Sequence, residues 1–224
     1  MAKNYQKELD LILENMSQGK AEKPSLLLHA CCGPCSSYVI EYLAGFFDIT
    51  IYYYNPNIHP SEEYFRRLEE LKKFLTQFPD AIKNQVKLVV DSYNPEEYIL
   101  ATNVRNEKEL QTEAEKGERC RRCYKFRMER AFEYARKNKF DWFTTTLSIS
   151  PHKDSEKINT IGKELEKPAE DCGTRFLPSD FKKKGGFLRS TQLSAEYGLW
   201  RQDYCGCIYS MNHKSPAKNE ESAD

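Results

Sequence analysis

Short apolar runs alternate with longer amphipathic segments along most of this chain, and no other feature constrains its fold as strongly. The apolar runs predict buried strands at residues 25–30, 48–54, 85–90 and 142–149. Apolar residues at helical spacing predict helices at 4–16, 38–44, 61–78, 122–137, 155–165 and 187–198, and the polar segment 96–115 is predicted to be helical in part. Strands that alternate with helices are typical of doubly wound folds, so we predict an α/β fold with a parallel sheet flanked by helices.

The length of the chain limits how many domains it can form. It has 224 residues, of which 39% are apolar, and a single hydrophobic core can reach this size. We therefore predict one domain over residues 1–210, with an N-terminal helix and linker at 1–24. Residues 211–224 are polar and are predicted to form a disordered tail.

The balance of charges limits the partners of the protein. Lys and Arg together number 34, as do Asp and Glu, so the formal net charge is zero. A neutral protein has no overall basic field, and any surface that binds nucleic acid must therefore be local. No apolar stretch approaches the roughly 20 residues of a membrane span, and residues 1–20 carry charges throughout, unlike a signal peptide. The sequence thus predicts a cytoplasmic protein with no membrane partner.

The eight cysteines fall into groups that indicate the chemistry of the protein. They stand at Cys31-Cys32-x-x-Cys35, Cys120-x-x-Cys123, Cys172 and Cys205-Gly206-Cys207. Eight in 224 residues is about 3.6%, well below the roughly 8–10% of scaffolds held by disulfides. In a reducing compartment, clustered cysteines indicate metal or redox chemistry.

The first two groups predict a metal centre. Cys31 and its neighbours follow the first predicted strand, and ligands of doubly wound sheets bind beyond the carboxyl ends of the strands. Cys120 and Cys123 precede or open a helix, where residues three apart share a face. Two such groups can supply four thiolates, which suit either a tetrahedral zinc ion or a four-iron, four-sulfur cluster.

The cysteine spacing leaves two further interpretations open. A closed zinc site that only stabilises the fold would leave Cys35, Cys205 and Cys207 without a role. A thioredoxin-like motif would use the tetrapeptide CGPC at 32–35, with a reactive thiolate at a helix N-terminus. That interpretation leaves the remaining pairs unexplained, so the surplus cysteines favour a functional metal centre.

Cys205 and Cys207 predict a redox-active pair. On an extended chain, residues two apart point the same way and their Cα atoms lie about 6.5–7 Å apart. This distance is at the upper edge of disulfide reach, so Gly206 would supply the flexibility that ring closure needs. The alternative is that both thiols are further metal ligands. Cys172 has no cysteine partner and is predicted to be a small, buried apolar residue.

Residues 116–139 are strongly basic. They contain ten Lys or Arg and three acidic residues, a local charge of 10 − 3 = +7, and residues 182–184 form a second basic run. Local positive charge of this kind binds RNA phosphates, although a solvated helix face has the same composition. The predicted RNA-binding residues are Arg121, Arg122, Lys125, Lys182 and Lys183.

Five motifs resemble those of epoxyqueuosine reductases of the QueH type. They are HACCGPCS at 29–36, YNPN at 54–57, ERCRRCY at 118–124, TTTLSISPHK at 144–153 and RQDYCGC at 201–207. They occur in the order of the family, and the resemblance extends from residue 29 to residue 210. The resemblance is therefore specific and covers most of the chain.

The resemblance implies a fold like that of the adenine-nucleotide α-hydrolase (HUP) group, with an inserted cysteine-bearing metal site. It implies the last step of queuosine synthesis, in which the epoxide of epoxyqueuosine in tRNA is reduced to the cyclopentene of queuosine without cobalamin. It implies a [4Fe-4S] cluster and an additional iron beside it, to which Cys35 would be a ligand. The implied cluster ligands are Cys31, Cys32, Cys120 and Cys123, and the implied redox-active pair is Cys205 and Cys207. The implied partners are tRNA carrying epoxyqueuosine and an electron donor that the sequence does not identify.

The chemistry of epoxide removal agrees with these residue types. Removal of the oxygen as water needs two electrons, two protons and a group that polarises the C–O bond. An iron site can polarise that bond, and a dithiol can store an electron pair. His152 is the predicted catalytic proton donor, with Lys153 and Tyr204 as neighbouring candidates.

Two other functions remain open at this point. One is a HUP-fold enzyme that activates tRNA with ATP and inserts sulfur. The Ser-Gly-Gly-x-Asp-Ser loop of such enzymes is replaced here by residues 31–37, which contain one glycine and no Asp. The other, which is not an enzyme, is an RNA-binding module stabilised by zinc.

Overall fold

The computed structural model describes residues 3–17, 22–166 and 173–212. Within these ranges, five strands form one sheet in the order β3-β2-β1-β4-β5, and all neighbouring strands are parallel. The strands are β1 Ser25–Ala30, β2 Asp48–Tyr53, β3 Lys87–Val90, β4 Trp142–Thr145 and β5 Arg175–Phe176. The predicted parallel sheet flanked by helices is confirmed.

Helices cover the connections between these strands. They are α1 Tyr5–Ser17, α2 Gly33–Leu43, α3 Ser61–Gln77, α4 Pro79–Lys83, α5 Pro95–Thr102, α6 Glu109–Thr112, α7 Glu118–Lys137, α8 Ser155–Glu166, α9 Gly186–Glu196 and α10 Ile208–Asn212. The bounds of α1, α3 and α8 agree with the predicted ones to within one residue. The short helices α4 and α10 were not predicted, because five residues are too few to show a helical period.

β1 lies at the centre of the sheet and is apolar on both of its faces. Leu26 and Leu28 pack with apolar side chains of α1, α2, α3 and α9. Leu27 packs on the opposite face with side chains of α7 and α8. Because side chains alternate along a strand, both faces of the sheet must be covered by helices. The carboxyl end of β1 then opens onto the edge of the sheet, where α2 begins.

The start of α2 is the first difference from the prediction. The helix begins at Gly33 rather than at residue 38, and Cys32 occupies its N-cap position. Pro34 lies in the first turn, where the fixed φ of proline favours a helix and its missing N–H costs no hydrogen bond. Cys35 therefore lies within the first turn of the helix and not in a preceding loop.

α7 also begins earlier than predicted, at Glu118 rather than at residue 122. The carboxylate of Glu113 accepts hydrogen bonds of 2.7 Å from the backbone N–H groups of Glu118 and Arg119. These bonds satisfy two donors that a helix N-terminus would otherwise leave unpaired. Cys120 and Cys123 consequently belong to the first two turns of α7.

The predicted strand at 142–149 is too long. β4 ends at Thr145, whose Oγ1 accepts a hydrogen bond from the backbone N–H of Leu147 and starts a 3₁₀ turn at Thr146–Ile149. β5 was not predicted, because two residues are too short to show an alternating pattern. Cys172 and residues 213–224 lie outside the described ranges, so the predicted environment of Cys172, the single domain and the tail stay predictions. None of the helices in those ranges is long and apolar enough to cross a membrane.

Candidate active site

The cysteines that follow β1 form a tight cluster at the carboxyl edge of the sheet. The Sγ atoms of Cys31, Cys32 and Cys35 all lie within 4.8 Å of one another. The Sγ atom of Cys32 is 3.8 Å from that of Cys31 and 2.7 Å from that of Cys35. Cys31 and Cys32 are buried. The strand-to-helix turn thus places three sulfur atoms at a spacing at which they could hold one metal ion.

The N-terminus of α2 favours a negative charge on this cluster. The Sγ atom of Cys32 accepts a hydrogen bond of 3.3 Å from the backbone N–H of Cys35, and Gln202 Nε2 donates to the same sulfur at 3.2 Å. Hydrogen bonds with the other two thiols hold the pKa of Cys31 well below its usual value. Burial raises the pKa of Cys32 to about 12. The pKa values of these two neighbouring thiols are therefore shifted in opposite directions.

A second group of cysteines comes from α7 and from the loop that precedes α10. Cys123 and Cys207 pack together in one buried apolar cluster with Tyr98. Burial raises the pKa of Cys120, and the neighbouring negative charge of Cys205 raises it further. Burial likewise raises the pKa of Cys123, to about 12. Cys205 therefore lies close enough to both thiols of α7 to raise their pKa values.

The Cys205–Cys207 pair lies on a turn and not on the extended chain that its spacing predicted. Gly206 has a φ of +113°, a conformation that L residues rarely adopt, and a Cβ atom there would lie 3.0 Å from Arg67 Nη1. A hydrogen bond from the Cys207 thiol holds the pKa of Cys205 well below its usual value. Both thiols are free of a disulfide, as in a reduced redox pair.

Arg67 fixes the position of this turn from α3. Its Nε donates to Glu63 at 2.7 Å. Its Nη1 and Nη2 donate to the backbone carbonyls of Cys205 and Tyr204 at 3.3 and 3.5 Å. Only 1% of Arg67 is exposed, so a buried ion pair supports the backbone of the turn and leaves the thiols available.

Arg127 and Lys153 connect the two groups of cysteines. Arg127 Nη2 donates to Asn55 Oδ1 at 2.5 Å, and Asn55 in turn donates to the carbonyl of the last residue of β1. Although burial opposes its charge, the thiols of Cys123 and Cys31 raise the pKa of Arg127. Burial also opposes the charge of Lys153, and the neighbouring thiols nonetheless raise its pKa. We call Arg67, Arg127 and Lys153 the inner cations, because they are buried beside the thiols.

A cleft of about 510 Å³ opens onto this arrangement. Cys35, Lys153 and Cys205 line what we call its floor, and His152 and Phe187 line its mouth. Its other lining residues are Pro34, Glu115, Ile149, Ser150, Pro151, Ser190, Arg201, Gln202, Asp203, Tyr204 and Ser210. The cleft therefore gives a ligand access both to the first cysteine cluster and to the Cys205–Cys207 pair.

The predicted proton donors occupy different parts of the cleft. The side chain of His152 is 77% exposed, and its Nδ1 lies 3.9 Å from a carboxylate oxygen of Glu115. Lys153, the next residue, is only 8% exposed. A different histidine, His29, is fully buried and hydrogen-bonds Thr145 Oγ1 at 2.8 Å, and burial lowers its pKa to about 3. His29 is therefore a neutral structural residue.

The basic segment carries less free charge than its composition indicates. Arg121 donates to Glu118 at 2.6 Å, and Arg122 bridges the carboxylates of Glu118 and Glu107. Arg119 and Arg127, which contribute to the +7 of this segment, are buried. The sequence could not separate these residues, because surface and buried arginines both follow helical spacing on α7.

The other predicted RNA-binding lysines differ in their ion pairing. Lys125 lies 3.5 Å from Glu129, and Lys182 lies 2.5 Å from Asp180. Lys183 is exposed and has no ion-pair partner among the described residues. The structure thus places all of the predicted RNA-binding residues on the surface, with Lys183 the least compensated of the lysines.

Comparison with known proteins agrees with the chemistry of this site. The family described as epoxyqueuosine reductase QueH matches residues 26–213. An epoxyqueuosine reductase QueH of Streptococcus pyogenes is 40% identical over 94% of this chain and 80% of its own. The protein of the same name from Staphylococcus epidermidis is 36% identical over 92% and 84%, and that of Thermotoga maritima is 35% identical over 84% and 90%.

The chain belongs to the epoxyqueuosine reductase QueH family. The matched range includes all the cysteines at the carboxyl edge of the sheet, the inner cations and the cleft. Membership in the QueH family makes the protein an oxidoreductase. Sequence reasoning missed two parts of this QueH site, the support of the turn by Arg67 and the link to Asn55 by Arg127. Neither lies in a cysteine motif, and long-range contacts of this kind leave no local signal.

Proposed function

We propose that this protein reduces the epoxide of epoxyqueuosine in tRNA to the cyclopentene of queuosine, without cobalamin. The observation that carries this proposal is a cleft that is lined by one cysteine of each of two groups, Cys35 and Cys205, and by the buried Lys153. A deoxygenation needs a reductant and groups that stabilise negative charge on the leaving oxygen. Cys205 of the proposed redox pair and the ammonium group of Lys153 both line the floor of this cleft.

The chemistry of the donor set fits an iron–sulfur cluster. Thiolates are the usual ligands of [4Fe-4S] clusters, and Cys31, Cys32, Cys120 and Cys123 are the proposed ligands. A buried cluster with four thiolates is negatively charged, and buried negative charge needs compensation. The inner cations supply that compensation, and the N–H of Gln202 donates to the sulfur of Cys32. When bound, the cluster would supply electrons one at a time.

The close spacing of Cys31, Cys32 and Cys35 supports a place for an additional iron. Cys35 is not among the proposed cluster ligands, yet its sulfur lies beside two of them and lines the cleft. Cys35 would therefore be available as a ligand of the additional iron.

Cys205 and Cys207 are the proposed redox-active pair. Oxidation of the dithiol to a disulfide releases two electrons and two protons, which is what deoxygenation of one epoxide consumes. The effect of Cys207 on the pKa of Cys205 and the position of Cys205 on the floor of the cleft support this role. His152 at the mouth would exchange protons between the cleft and solvent. An external electron donor would then reduce the disulfide before the next turnover.

The proposed RNA contacts involve Arg121, Arg122, Lys125, Lys182 and Lys183. Exposed ion pairs contribute only about 0–1 kcal/mol. A phosphate can therefore replace the carboxylate partner of a surface arginine at small cost, and Arg binds phosphate with two parallel hydrogen bonds. Lys183 can bind phosphate without losing an intramolecular ion pair.

An anaerobic assay tests this proposal directly. The purified protein is incubated with tRNA carrying epoxyqueuosine and a chemical reductant, and the nucleosides are separated after digestion. Conversion to queuosine is expected, together with about five iron and four sulfide per chain, which is one [4Fe-4S] cluster plus the additional iron. A colourless protein that contains zinc and converts no substrate would contradict both the activity and the cluster.

A further inference from the structure

Lys153 differs from the other inner cations in having no bound partner. Arg67 is tied to Glu63 and to two backbone carbonyls, and Arg127 is tied to Asn55. No hydrogen bond or ion pair joins the ammonium group of Lys153 to any described residue. Lys153 is nevertheless buried, with only 8% of its surface exposed, and it lines the floor of the cleft.

A buried ammonium group without a partner is costly, so its position requires an explanation. Ion pairing does not provide one, because Glu115 is not within ion-pair distance of Lys153 and interacts with it only through its charge at longer range. The thiols of Cys205, Cys31 and Cys35 are the groups that raise the pKa of Lys153. Lys153 thus carries a fixed positive charge, with unused N–H donors, where the two groups of cysteines meet.

We propose that the ammonium group of Lys153 binds the epoxide oxygen of the substrate and stabilises the negative charge that develops on it as the C–O bonds break. This inference rests on the proposed function, and it adds a catalytic residue to it. A charged donor fixed in a site with little water is effective because it needs no reorganisation during the reaction. His152 is less suited to this role, because its side chain is 77% exposed at the mouth.

The step balances with the groups that line the cleft. Both C–O bonds of the epoxide break, a C=C bond forms, and the oxygen leaves as water. The Cys205–Cys207 pair supplies two electrons and closes to a disulfide, and the two protons of the water come from the Cys207 thiol and, through His152, from solvent. Lys153 remains protonated throughout, because its N–H groups donate hydrogen bonds to the oxygen and do not transfer a proton.

Two variants and one control test the role of Lys153. Lys153→Met keeps the length of the side chain and removes its charge, whereas Lys153→Arg keeps the charge and the donors. Lys157→Met is the matched control, because it removes a partly exposed lysine of α8 that does not line the cleft. For each protein, the affinity for tRNA carrying epoxyqueuosine is compared with that for tRNA carrying queuosine, which lacks the epoxide oxygen. The single-turnover rate and the iron content are measured on the same preparations.

The wild type and Lys157→Met are expected to prefer the epoxide-bearing tRNA. Lys153→Met should lose about tenfold of that preference, since a hydrogen bond from a charged group is lost. Its single-turnover rate should fall about a hundredfold or more, as for the loss of one donor to a developing oxyanion. Lys153→Arg should keep a large part of the preference for epoxide-bearing tRNA and of the single-turnover rate.

Three results would overturn the inference. One is an unchanged preference and rate in Lys153→Met. Another is a loss of iron in both Lys153 variants that parallels the loss of rate, since Lys153 would then only maintain the metal site. The third is a change of affinity that is equal for the two tRNAs. If the wild type itself converts no epoxyqueuosine, the proposed function fails, whereas an active wild type with an unaffected Lys153→Met rejects only the role of Lys153.

Discussion

The inner cations and the surface arginines of α7 carry the same charge in very different surroundings. Arg67 and Arg127 are each 1% exposed and lie beside thiols, whereas the side chains of Arg121 and Arg130 are 41% and 47% exposed and pair with carboxylates. The surface pairs contribute about 0–1 kcal/mol each. Removal of one partner from a buried charge pair costs about 3–5 kcal/mol, because the other charge is left uncompensated.

This difference separates the cations that lie beside the thiols from those on the surface. If the thiols hold a metal centre as proposed, the inner cations would offset its negative charge. The surface arginines depend on no such partner in the interior. Substitution of an inner cation should therefore change the iron content. Substitution of a surface arginine should change the affinity for RNA.

The largest effect is expected when a thiolate is removed from the site. Cys120→Ala should lose most of the iron and sulfide and all measurable activity, because a cluster tolerates the loss of one thiolate poorly. Iron and sulfide analysis after anaerobic purification measures this, and Cys172→Ala, which removes a cysteine outside the proposed ligand set, is the control. Full iron content in Cys120→Ala would show that Cys120 of α7 is not a ligand of the metal.

The Cys205–Cys207 pair should respond differently from the proposed ligands. Cys205→Ser and Cys207→Ser should each keep the iron and the visible absorbance of the cluster but lose multiple turnover, since electrons can no longer be stored as a pair. The measurement is metal content alongside activity with a chemical reductant. If iron is lost in step with activity, both residues are metal ligands and the redox role is wrong.

A third test compares one inner cation directly with one surface arginine. Arg127→Met should lower the free energy of unfolding by about 3–5 kcal/mol and reduce the iron content. Arg122→Met, on the same helix, should leave both the free energy of unfolding and the iron content almost unchanged, because its ion pairs are screened by solvent. Denaturant titration with parallel iron analysis measures both. If the two substitutions change the free energy of unfolding and the iron content equally, the distinction between inner and surface cations is wrong.

The sequence predicted the sheet better than the site, for physical reasons. The run at 25–30 predicted β1 to the residue, because a central strand is apolar on both faces and bounded by polar segments. The cysteine motifs predicted a metal centre, but the starts of α2 and α7 were predicted too late. Those starts depend on a proline in the first turn and on capping by Glu113, five residues before α7.

The charges of the site were the least predictable part. Arg127 was counted with the surface charge of residues 116–139, although its partner Asn55 is distant in sequence. The contacts of Arg67 with residues 204 and 205 span more than 130 positions. Such contacts form only when the sheet brings strand ends together, so no local pattern could have revealed them.

The surface arginines are expected to affect RNA binding moderately. Arg121→Glu combined with Arg122→Glu should weaken binding of tRNA carrying epoxyqueuosine about tenfold or more at low salt, and the affinity of the wild type should fall as salt rises. Fluorescence anisotropy over a range of salt concentrations measures both effects. Lys183→Glu tests the second basic run in the same way. A wild-type affinity that does not depend on salt would indicate recognition through the modified base alone.

The smallest effect is expected from an ion pair that lies away from the thiols. Asp91, just after β3, accepts hydrogen bonds from Tyr52 and Arg130. Burial opposes its charge, but these bonds lower the pKa of Asp91 to about 2. A carboxylate whose pKa is lower in the folded state stabilises the protein above its unfolded pKa, and that contribution is lost as pH falls through the folded value.

Asp91→Asn should therefore be less stable than the wild type by about 1 kcal/mol at neutral pH, since Arg130 is half exposed and screened by solvent. The difference should shrink as pH falls below about 4 and vanish near 2. Denaturant titrations at several pH values measure it, with Glu69→Gln in the exposed pair with Lys72 as the control. A difference that persists at the acidic end would show that the Asn side chain disturbs packing and that the charge of Asp91 contributes nothing. Iron content should stay unchanged in Asp91→Asn, because neither Asp91 nor Arg130 contacts a thiol, as is also the case for the other surface ion pairs of α7.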